Sequence, residues 1–464
     1  MKKYCYGFVL IVSVAINIFL SINLYGGRVQ YSEKKLMLQD VDLGWSKKAA
    51  AEAEAIAAMP CSGHGRAFVD SLISEGGQLI CECYDCYSGN DCSVYSPVGC
   101  TVDAKSGDPI FMEPFWMQNA ENSAVVISGW HRLGYWYDHG DTMSIELERH
   151  IRKLHSVVGN AVTEGRYVVF GIGAMQLLSA AIYALASENA SSPSNVLATI
   201  PYYPMFEHQT VFFNGKAFNF EGDTKTWQSK NDTDGKDVIE FVTSPNNPDG
   251  ALTEPVLKGK TIYDHAYYWP HYTPIPSPSD QEVMIFSMSK FTGHAGTRFG
   301  WAVIKDKSVY DKFLQYIQFA DLGISKDTQL RVLKLLKVVL EGDGKSLFQY
   351  GYEKMSDRWE KLIPIFSNSK RFSLQKRQPS HCNFFNQTRL PTPAYAWVKC
   401  ERPEDLDCGA ILAAGNIIGS PGSNFRDKDR YTRLNILMSE DDFELLLQRL
   451  TELVSLENNS IQTM

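Results

Sequence analysis

Between Arg166 and Ile304 the chain sets down six short apolar runs: Arg166–Phe170, Val196–Ile200, Val238–Thr243, Thr261–Tyr263, Val283–Phe286 and Phe299–Ile304. Helix-like stretches such as Ala174–Leu185 separate them. A run that is apolar throughout, rather than at alternate positions, is buried on both faces. This predicts an α/β fold, a mainly parallel sheet covered by helices on each side. Asp327–Leu340 and Asp442–Val454 have the spacing of amphipathic helices. Tyr395–Lys399 and Tyr431–Leu437 read as strands of a smaller, C-terminal α+β unit.

In open α/β sheets, ligands bind beyond the carboxyl ends of the strands. Five strand ends here carry distinctive groups. The FGIGAMQ turn offers the backbone N–H groups of Gly173, Ala174 and Met175 at a helix start, a phosphate site. PYYP offers Tyr202 and Tyr203, SPNNPDG offers Asn246 and Asn247, and Asp264 is followed by Tyr267 and Tyr268. SMSKFTGHAGTRFGW offers Ser287, Ser289, Lys290 and Arg298. A lysine at a crowded strand end can form a Schiff base. Two hydroxyls and an arginine suit a phosphate dianion. An aspartate can hold a protonated pyridine nitrogen, Asn and Tyr a ring hydroxyl, and a second Tyr can stack on the ring. Taken singly, each residue has a plainer reading, as a solvated lysine or a helix-capping aspartate. In this order on successive strands, they predict one cofactor, pyridoxal 5′-phosphate.

The compartment is read from the first hundred residues. Lys2 and Lys3 precede an apolar stretch from Gly7 to Leu24. That is long enough to span a bilayer and longer than most signal-peptide cores, so residues 1–26 are expected to be a signal anchor or signal peptide. Six of the ten cysteines, Cys61, Cys81, Cys83, Cys86, Cys92 and Cys100, fall within 40 residues among Gly and Asn turns. This pattern predicts a small disulfide-stapled module in an oxidising compartment, with the pairing left open. A zinc site is the weaker alternative, because paired CxxC knuckles are missing and His64 is out of register. Cys400 and Cys408 can close a further loop, and Cys382 has no obvious partner. Sequons at Asn189, Asn231, Asn386 and Asn458 agree with a secretory location. The net charge of −8 argues against a nucleic-acid partner.

SPNNPDG, IYDHAYYWPHYTPI and SMSKFTGHAGTRFGWAVIKD resemble the plant alliinase and tryptophan aminotransferase-related family of fold-type-one pyridoxal phosphate enzymes. CSGHGRAFVD and CECYDCYSGNDCS are similar to the EGF-like module that precedes the catalytic region in alliinases. The resemblance implies the pairs Cys61–Cys81, Cys83–Cys92, Cys86–Cys100 and Cys400–Cys408. It implies five segments: the anchor, residues 45–102 as helix plus EGF-like module, 103–155 as an N-terminal arm, 156–345 as the large cofactor-binding domain and 346–464 as the small domain. Lys290 matches the family's covalent lysine, Asp264 the partner of the pyridine nitrogen, and Asn247 and Tyr267 the groups on the ring hydroxyl. Tyr203 matches the stacking ring, Ser287, Ser289 and Arg298 the phosphate cup, Arg433 the substrate-carboxylate arginine and Tyr135 an active-site tyrosine. Met175 departs from the family, where a hydroxyl residue is common.

Two chemistries share this scaffold, and both begin with removal of the α-proton by Lys290. The resemblance implies an aminotransferase that exchanges an L-amino acid for a 2-oxo acid, in particular L-tryptophan for indole-3-pyruvate in auxin biosynthesis. The alternative is a C–S lyase acting on S-alkyl-cysteine sulfoxides. The apolar N-terminus and the aromatic side chains Trp130, Tyr135 and Trp136 favour the first. A lumenal interaction protein built on an inactive scaffold is opposed by the intact set of Lys290, Asp264 and Arg433. The resemblance further implies a homodimer, and the leader an endoplasmic-reticulum membrane location with a lumenal, glycosylated catalytic domain.

Overall fold

The computed structural model describes residues 44–187, 192–213, 216–230 and 237–462 of the 464-residue chain. The apolar leader with Cys5, and the sequons at Asn189 and Asn231, lie outside these residues. Among the described residues no helix is long and apolar enough to cross a membrane. Gly44–Ala57 forms an alanine-rich helix, α1, that buries no residue. It belongs to a unit separate from the remainder, which begins at Met59.

Residues 61–100 form the cysteine module. Its disulfides are Cys61–Cys81, Cys83–Cys92 and Cys86–Cys100, the pairing that the resemblance implied. The buried apolar cluster inside it consists of Cys61, Cys81 and Cys92 themselves. Bridges rather than a core therefore hold it, each worth roughly 2–4 kcal/mol through the loop it closes. Arg449 donates to the carbonyl of Pro97 at 2.9 Å, and His64 meets Asp441 at 2.8 Å, so the module is tied to the C-terminal helix.

The large domain opens with α2, Ile145–Val158, capped by the Ser144 hydroxyl and ended by Gly159 in the left-handed region. Leu147, Ile151, Leu154 and Val158 recur at helical spacing and are buried. Next come β1 (Tyr167–Ile172), α3 (Gly173–Leu185), β2 (Ser194–Ala198), β3 (Phe218–Asp223), β4 (Val238–Thr243), β5 (Lys260–Asp264) and β6 (Val283–Ser287). The four-residue helix α4 (Met288–Phe291) leads to β7 (Phe299–Ile304), α5 (Lys307–Ala320) and α6 (Lys326–Val339). The seven strands lie in the order β1-β7-β6-β5-β4-β2-β3. All neighbours are parallel except at β7, which is antiparallel to both β1 and β6.

Alternate strand residues enter two cores, one on each face of this sheet. Phe170, Met284, Phe286, Phe299 and Trp301 pack on one side. Val169, Ile285, Ala302 and Ile304 pack on the other. This is why the runs are apolar throughout: each residue, whichever way it points, leaves water. Fully burying one such side chain contributes roughly 1.5–3 kcal/mol.

The C-terminal domain begins with the long helix α7 (Ser346–Ser367). A four-stranded antiparallel sheet follows, built from β8 (Phe372–Leu374), β9 (Tyr395–Cys400), β10 (Ser420–Pro421) and β11 (Tyr431–Asn435) in the order β8-β9-β11-β10. α8 (Glu440–Gln462) closes it. Cys400–Cys408 is bridged, and Cys382 is a buried free thiol. Val102–Asp103, directly after the cysteine module, pairs with Ile417–Ile418. The chain then crosses toward the large domain as a short strap, residues 103–109.

Candidate active site

The carboxyl ends of β4, β5 and β6 face a cavity of about 310 Å³ that also receives α3 and the strands of the small domain. Of the residues singled out in the sequence, Ala174, Met175, Tyr203, Asn247, Asp264, Tyr267, Ser287, Ser289, Lys290, Arg298 and Arg433 all line it. Spacing on the chain put all of them except Arg433, which comes from the small domain's sheet, at successive strand ends. The parallel sheet brings those ends side by side.

Asp264 ends β5 and is buried. It accepts a 3.0 Å hydrogen bond from the Ala266 N–H and has no ion-pair partner among the described residues. Burial raises its carboxyl to about pH 6, and the Ala266 bond only partly opposes this. A buried carboxyl of this kind calls for a cationic N–H. Lys290 lies in α4, which the Ser287 hydroxyl caps by accepting the Ser289 N–H at 3.1 Å. The backbone carbonyl of Lys290 is fixed by the Tyr272 hydroxyl at 3.0 Å, and its ammonium donates to the Gly107 carbonyl of the strap.

One end of the site is built around Gly173 and Arg298. This glycine has φ +67°, and a Cβ there would lie 2.7 Å from Nη2 of Arg298. Any other residue would be strained and would push the guanidinium away from the first turn of α3. Arg298 itself is held by donation to the Ala295 carbonyl at 3.0 Å. Met175, which stands where the family commonly has a hydroxyl residue, has its sulfur 3.6 Å from the Tyr203 hydroxyl. It therefore steadies Tyr203, whose hydroxyl burial pushes up to about 12.

Arg433, on β11, is buried. Its Nη1 donates to Asn247 Oδ1 at 3.0 Å and its Nη2 to the Lys105 carbonyl at 2.8 Å. The guanidinium lies 4.0 Å above the Tyr395 ring. Its Nε is buried without a partner, and no carboxylate of the described residues pairs with it. Such an orphaned donor beside a cavity suits an incoming carboxylate.

Tyr395, at the start of β9, was not singled out in the sequence. Its hydroxyl meets that of Tyr267 at 2.7 Å. Burial would raise both phenols. In Tyr267 it does so, reinforced by Tyr395. In Tyr395 the Lys290 and Arg433 cations outweigh burial, so Tyr395 is the more acidic of the pair. Nothing in the spacing of YAWVKC separates this tyrosine from a core residue. The strap was equally hidden, because it contributes backbone carbonyls.

Other candidates turn elsewhere. Tyr202 donates to Glu207, Tyr268 to the Ser277 carbonyl, and Asn246 to Pro201 and Asp249, so all three hold turns. Tyr135 does not line the cavity of its own chain. It is 71% exposed, on a surface segment of turns with Trp130 at 73% and Trp136 at 52%. The expectation that these aromatics frame the substrate pocket is corrected to that extent.

Acid at one end, arginine and helix amides at the other, and lysine with two tyrosines between them define a pyridoxal phosphate site on a fold-type-one scaffold, and the residues present fit that group. The family model for allinase matches residues 102–454, and that for the alliinase EGF-like domain matches residues 44–100. The chain belongs to the alliinase family, whose members use pyridoxal phosphate. It is 50% identical over 453 residues to tryptophan aminotransferase-related protein 4 of Arabidopsis thaliana, covering 96% of each chain. It is 45% identical to the alliin lyase of Allium cepa var. aggregatum, covering 88% of this chain and 94% of that one. Its fold matches histidinol-phosphate aminotransferase from Clostridium acetobutylicum with a TM-score of 0.54 and 17% identity, over 77% of this chain and 99% of that one.

Proposed function

We propose that the protein is an aminotransferase that exchanges an L-amino acid, aromatic and of the tryptophan type, for its 2-oxo acid. The observation that carries a reaction at an amino acid's α-carbon is the convergence of Lys290, Asp264 and Arg433 on one cavity. Two relatives named tryptophan aminotransferase-related, 50% and 52% identical, support transamination; alliin lyases at 45%, above two further tryptophan aminotransferase-related proteins at 42% and 37%, keep C–S elimination as the alternative.

Bound in this site, pyridoxal phosphate supplies an electron sink for the pair left when the α-proton departs. Arg433 takes the substrate α-carboxylate, using the Nε left without a partner. Lys290 Nζ removes the α-proton and, in transamination, would return it to the cofactor carbon two atoms further on, beyond the amino nitrogen. Asp264 would hold a proton on the ring nitrogen, since burial makes a lone carboxylate there unfavourable. Asn247, its carbonyl oxygen engaged by Arg433, keeps its NH₂ as a donor for the ring hydroxyl beside Tyr267. The Tyr395–Tyr267 pair sits where it can pass a proton to or from that hydroxyl.

The four disulfides support a lumenal or secreted location. The described sequon residue Asn386 is exposed at a hairpin tip, open to glycosylation. The exposed apolar side chains of Trp130, Leu133, Tyr135 and Trp136 support a homodimer in which this segment is covered by the second subunit. The deciding experiment offers the purified protein L-tryptophan with pyruvate or 2-oxoglutarate, and separately an S-alkyl-cysteine sulfoxide. Indole-3-pyruvate in the first assay supports this reading. Pyruvate release from the sulfoxide alone replaces it with the lyase.

A further inference from the structure

An unbroken line of hydrogen bonds runs from the EGF-like module into the active site. Ser439 donates to one oxygen of Asp442 at 2.7 Å, and the other oxygen accepts the backbone N–H of Asp85 at 2.9 Å. Asp85 Oδ2 accepts the N–H of Asp103 at 2.8 Å, and Asp103 Oδ1 accepts the N–H of Lys105 at 2.9 Å. The carbonyl of Lys105 then accepts from Arg433 Nη2 at 2.8 Å. Asp85 lies between two bridged cysteines, Cys83 and Cys86, so its backbone is tightly held.

We propose that Asp85 is a positioning residue: through the strap it sets the orientation of Arg433 for the substrate carboxylate. The proposal rests on the reading of Arg433 given above. A guanidinium recognises a carboxylate through a planar fork, and that geometry tolerates only about 10–20° of misalignment. Here two acceptors set the plane, Asn247 Oδ1 on one terminal nitrogen and the Lys105 carbonyl on the other. Both lie outside the strands, Asn247 on the turn after β4 and Lys105 on the strap, and loops are less precise supports than strands. Backbone bonds from Ala104 to Ile418 and from Asn435 to Ala104 also tether the strap. Those bonds fix its path before Lys105. The Asp85 and Asp103 carboxylates fix the turn that aims the Lys105 carbonyl, which also accepts the Ser420 hydroxyl at 3.4 Å. The EGF-like module thus acts in substrate recognition although none of its residues lines the cavity.

The test uses the full-length holoenzyme and reads carboxylate binding apart from turnover. 3-Phenylpropionate, an aromatic carboxylate with no amino group, is titrated calorimetrically, and KM and kcat are measured with the amino acid. Asp85→Ala should raise the Kd for 3-phenylpropionate and the KM by roughly three- to tenfold, the effect of one hydrogen bond, with kcat within about twofold. The visible spectrum of the cofactor should not change. Asp85→Asn keeps an acceptor oxygen and should restore both constants. Asp103→Ala, at an exposed site, should reproduce the effect, and the double variant should be no worse than the stronger single one because both act through one line. Unchanged Kd and KM in Asp85→Ala overturn the proposal. So does a loss in Asp85→Ala of thermal stability and cofactor with no shift in Kd, which marks a purely structural contact. Arg433→Lys is measured alongside: if it leaves 3-phenylpropionate binding unchanged, the reading of Arg433 itself fails and the proposal with it. If it weakens binding while Asp85→Ala does not, only the positioning role fails.

Discussion

The Tyr395 hydroxyl lies 2.7 Å from that of Tyr267, and the two phenols are pushed in opposite directions. Tyr395 faces Lys290 and Arg433, and those cations favour its phenolate. It is therefore the acceptor of the pair when the site is fully charged, and Tyr267 is the donor. Tyr395→Phe removes that acceptor and leaves the Tyr267 O–H buried without it. A buried donor left without its partner costs roughly 1–3 kcal/mol, so kcat should fall about tenfold. Cofactor content, read from its visible absorbance, should be retained.

Lys290 has no substitute in the cavity, because the other cations there, Arg298 and Arg433, are engaged at its two ends. Lys290→Ala should lower turnover by roughly 10²–10⁴, the usual contribution of a general base, and more where covalent attachment also matters. Borohydride reduction followed by peptide mass analysis should place the cofactor on the Lys290 peptide in the wild type and nowhere in the variant. A fixed adduct at wild-type turnover in the variant would remove Lys290 from its assigned position.

Those assignments were legible because each residue belongs to a short motif at the end of its own apolar run. Chain-local order then survives as spatial order in a parallel sheet. What was hidden came from packing. Tyr395 reaches the site only because β9 pairs with β11, next to Arg433. Lys105 and Gly107 act through carbonyl oxygens, which every residue type possesses. β3 was missed for a related reason: Phe218–Asp223, FNFEGD, is a half-exposed edge strand with a glycine inside it and lacks a continuous apolar run. The antiparallel course of β7 was also unreadable, since a strand buried on both faces carries the same residues in either direction. Trp130, Tyr135 and Trp136 lie apart from the cavity of their own chain, a placement hidden in the sequence because aromatic character alone does not say whether a surface faces a ligand or a second copy.

Arg433 presents a fork that lysine cannot copy. Loss of a charge-assisted bidentate pair in a partly desolvated site costs about 2–5 kcal/mol, so Arg433→Lys should lower kcat/KM by roughly 30-fold or more. The cofactor spectrum should stay as it is, since Arg298 rather than Arg433 lies against Gly173 at the phosphate end. Loss of cofactor instead would mean that the two arginines have exchanged roles.

If the 130–136 segment crosses to a second subunit, Tyr135 acts in its neighbour's site. Separately purified Lys290→Ala and Tyr135→Phe dimers should then regain activity when subunits are exchanged, because one site of the mixed dimer carries neither lesion. About a quarter of wild-type activity is expected for random exchange with two independent sites. Light scattering should report a dimer throughout. No recovery from demonstrably mixed dimers would place Tyr135 outside the neighbouring site.

Asp264 links cofactor binding to stability with a definite sign. Its carboxyl is raised in the cofactor-free fold from 3.8 to about 6, so folding favours the protonated form. A carboxyl raised on folding costs nothing below its unfolded pKa. The cost grows as pH rises between the two values and is complete above the folded one. Cofactor-free protein should therefore carry a penalty on the order of 3 kcal/mol at pH 8 that falls to about 1 kcal/mol near pH 4.5 and is nearly gone only below about pH 3.5. Asp264→Asn removes the ionisable group while keeping its size. The cofactor-free variant should melt a few degrees higher than cofactor-free wild type at pH 8, and the difference should shrink as pH falls toward 5. The loaded protein should behave oppositely, since the variant no longer offers a charge to a protonated ring nitrogen and should bind pyridoxal phosphate more weakly. Paired melting curves with and without cofactor, at pH 5 and pH 8, measure both signs. A variant less stable than wild type in the cofactor-free state at pH 8 would show that Asp264 has a cationic partner within the protein and does not await one from the cofactor.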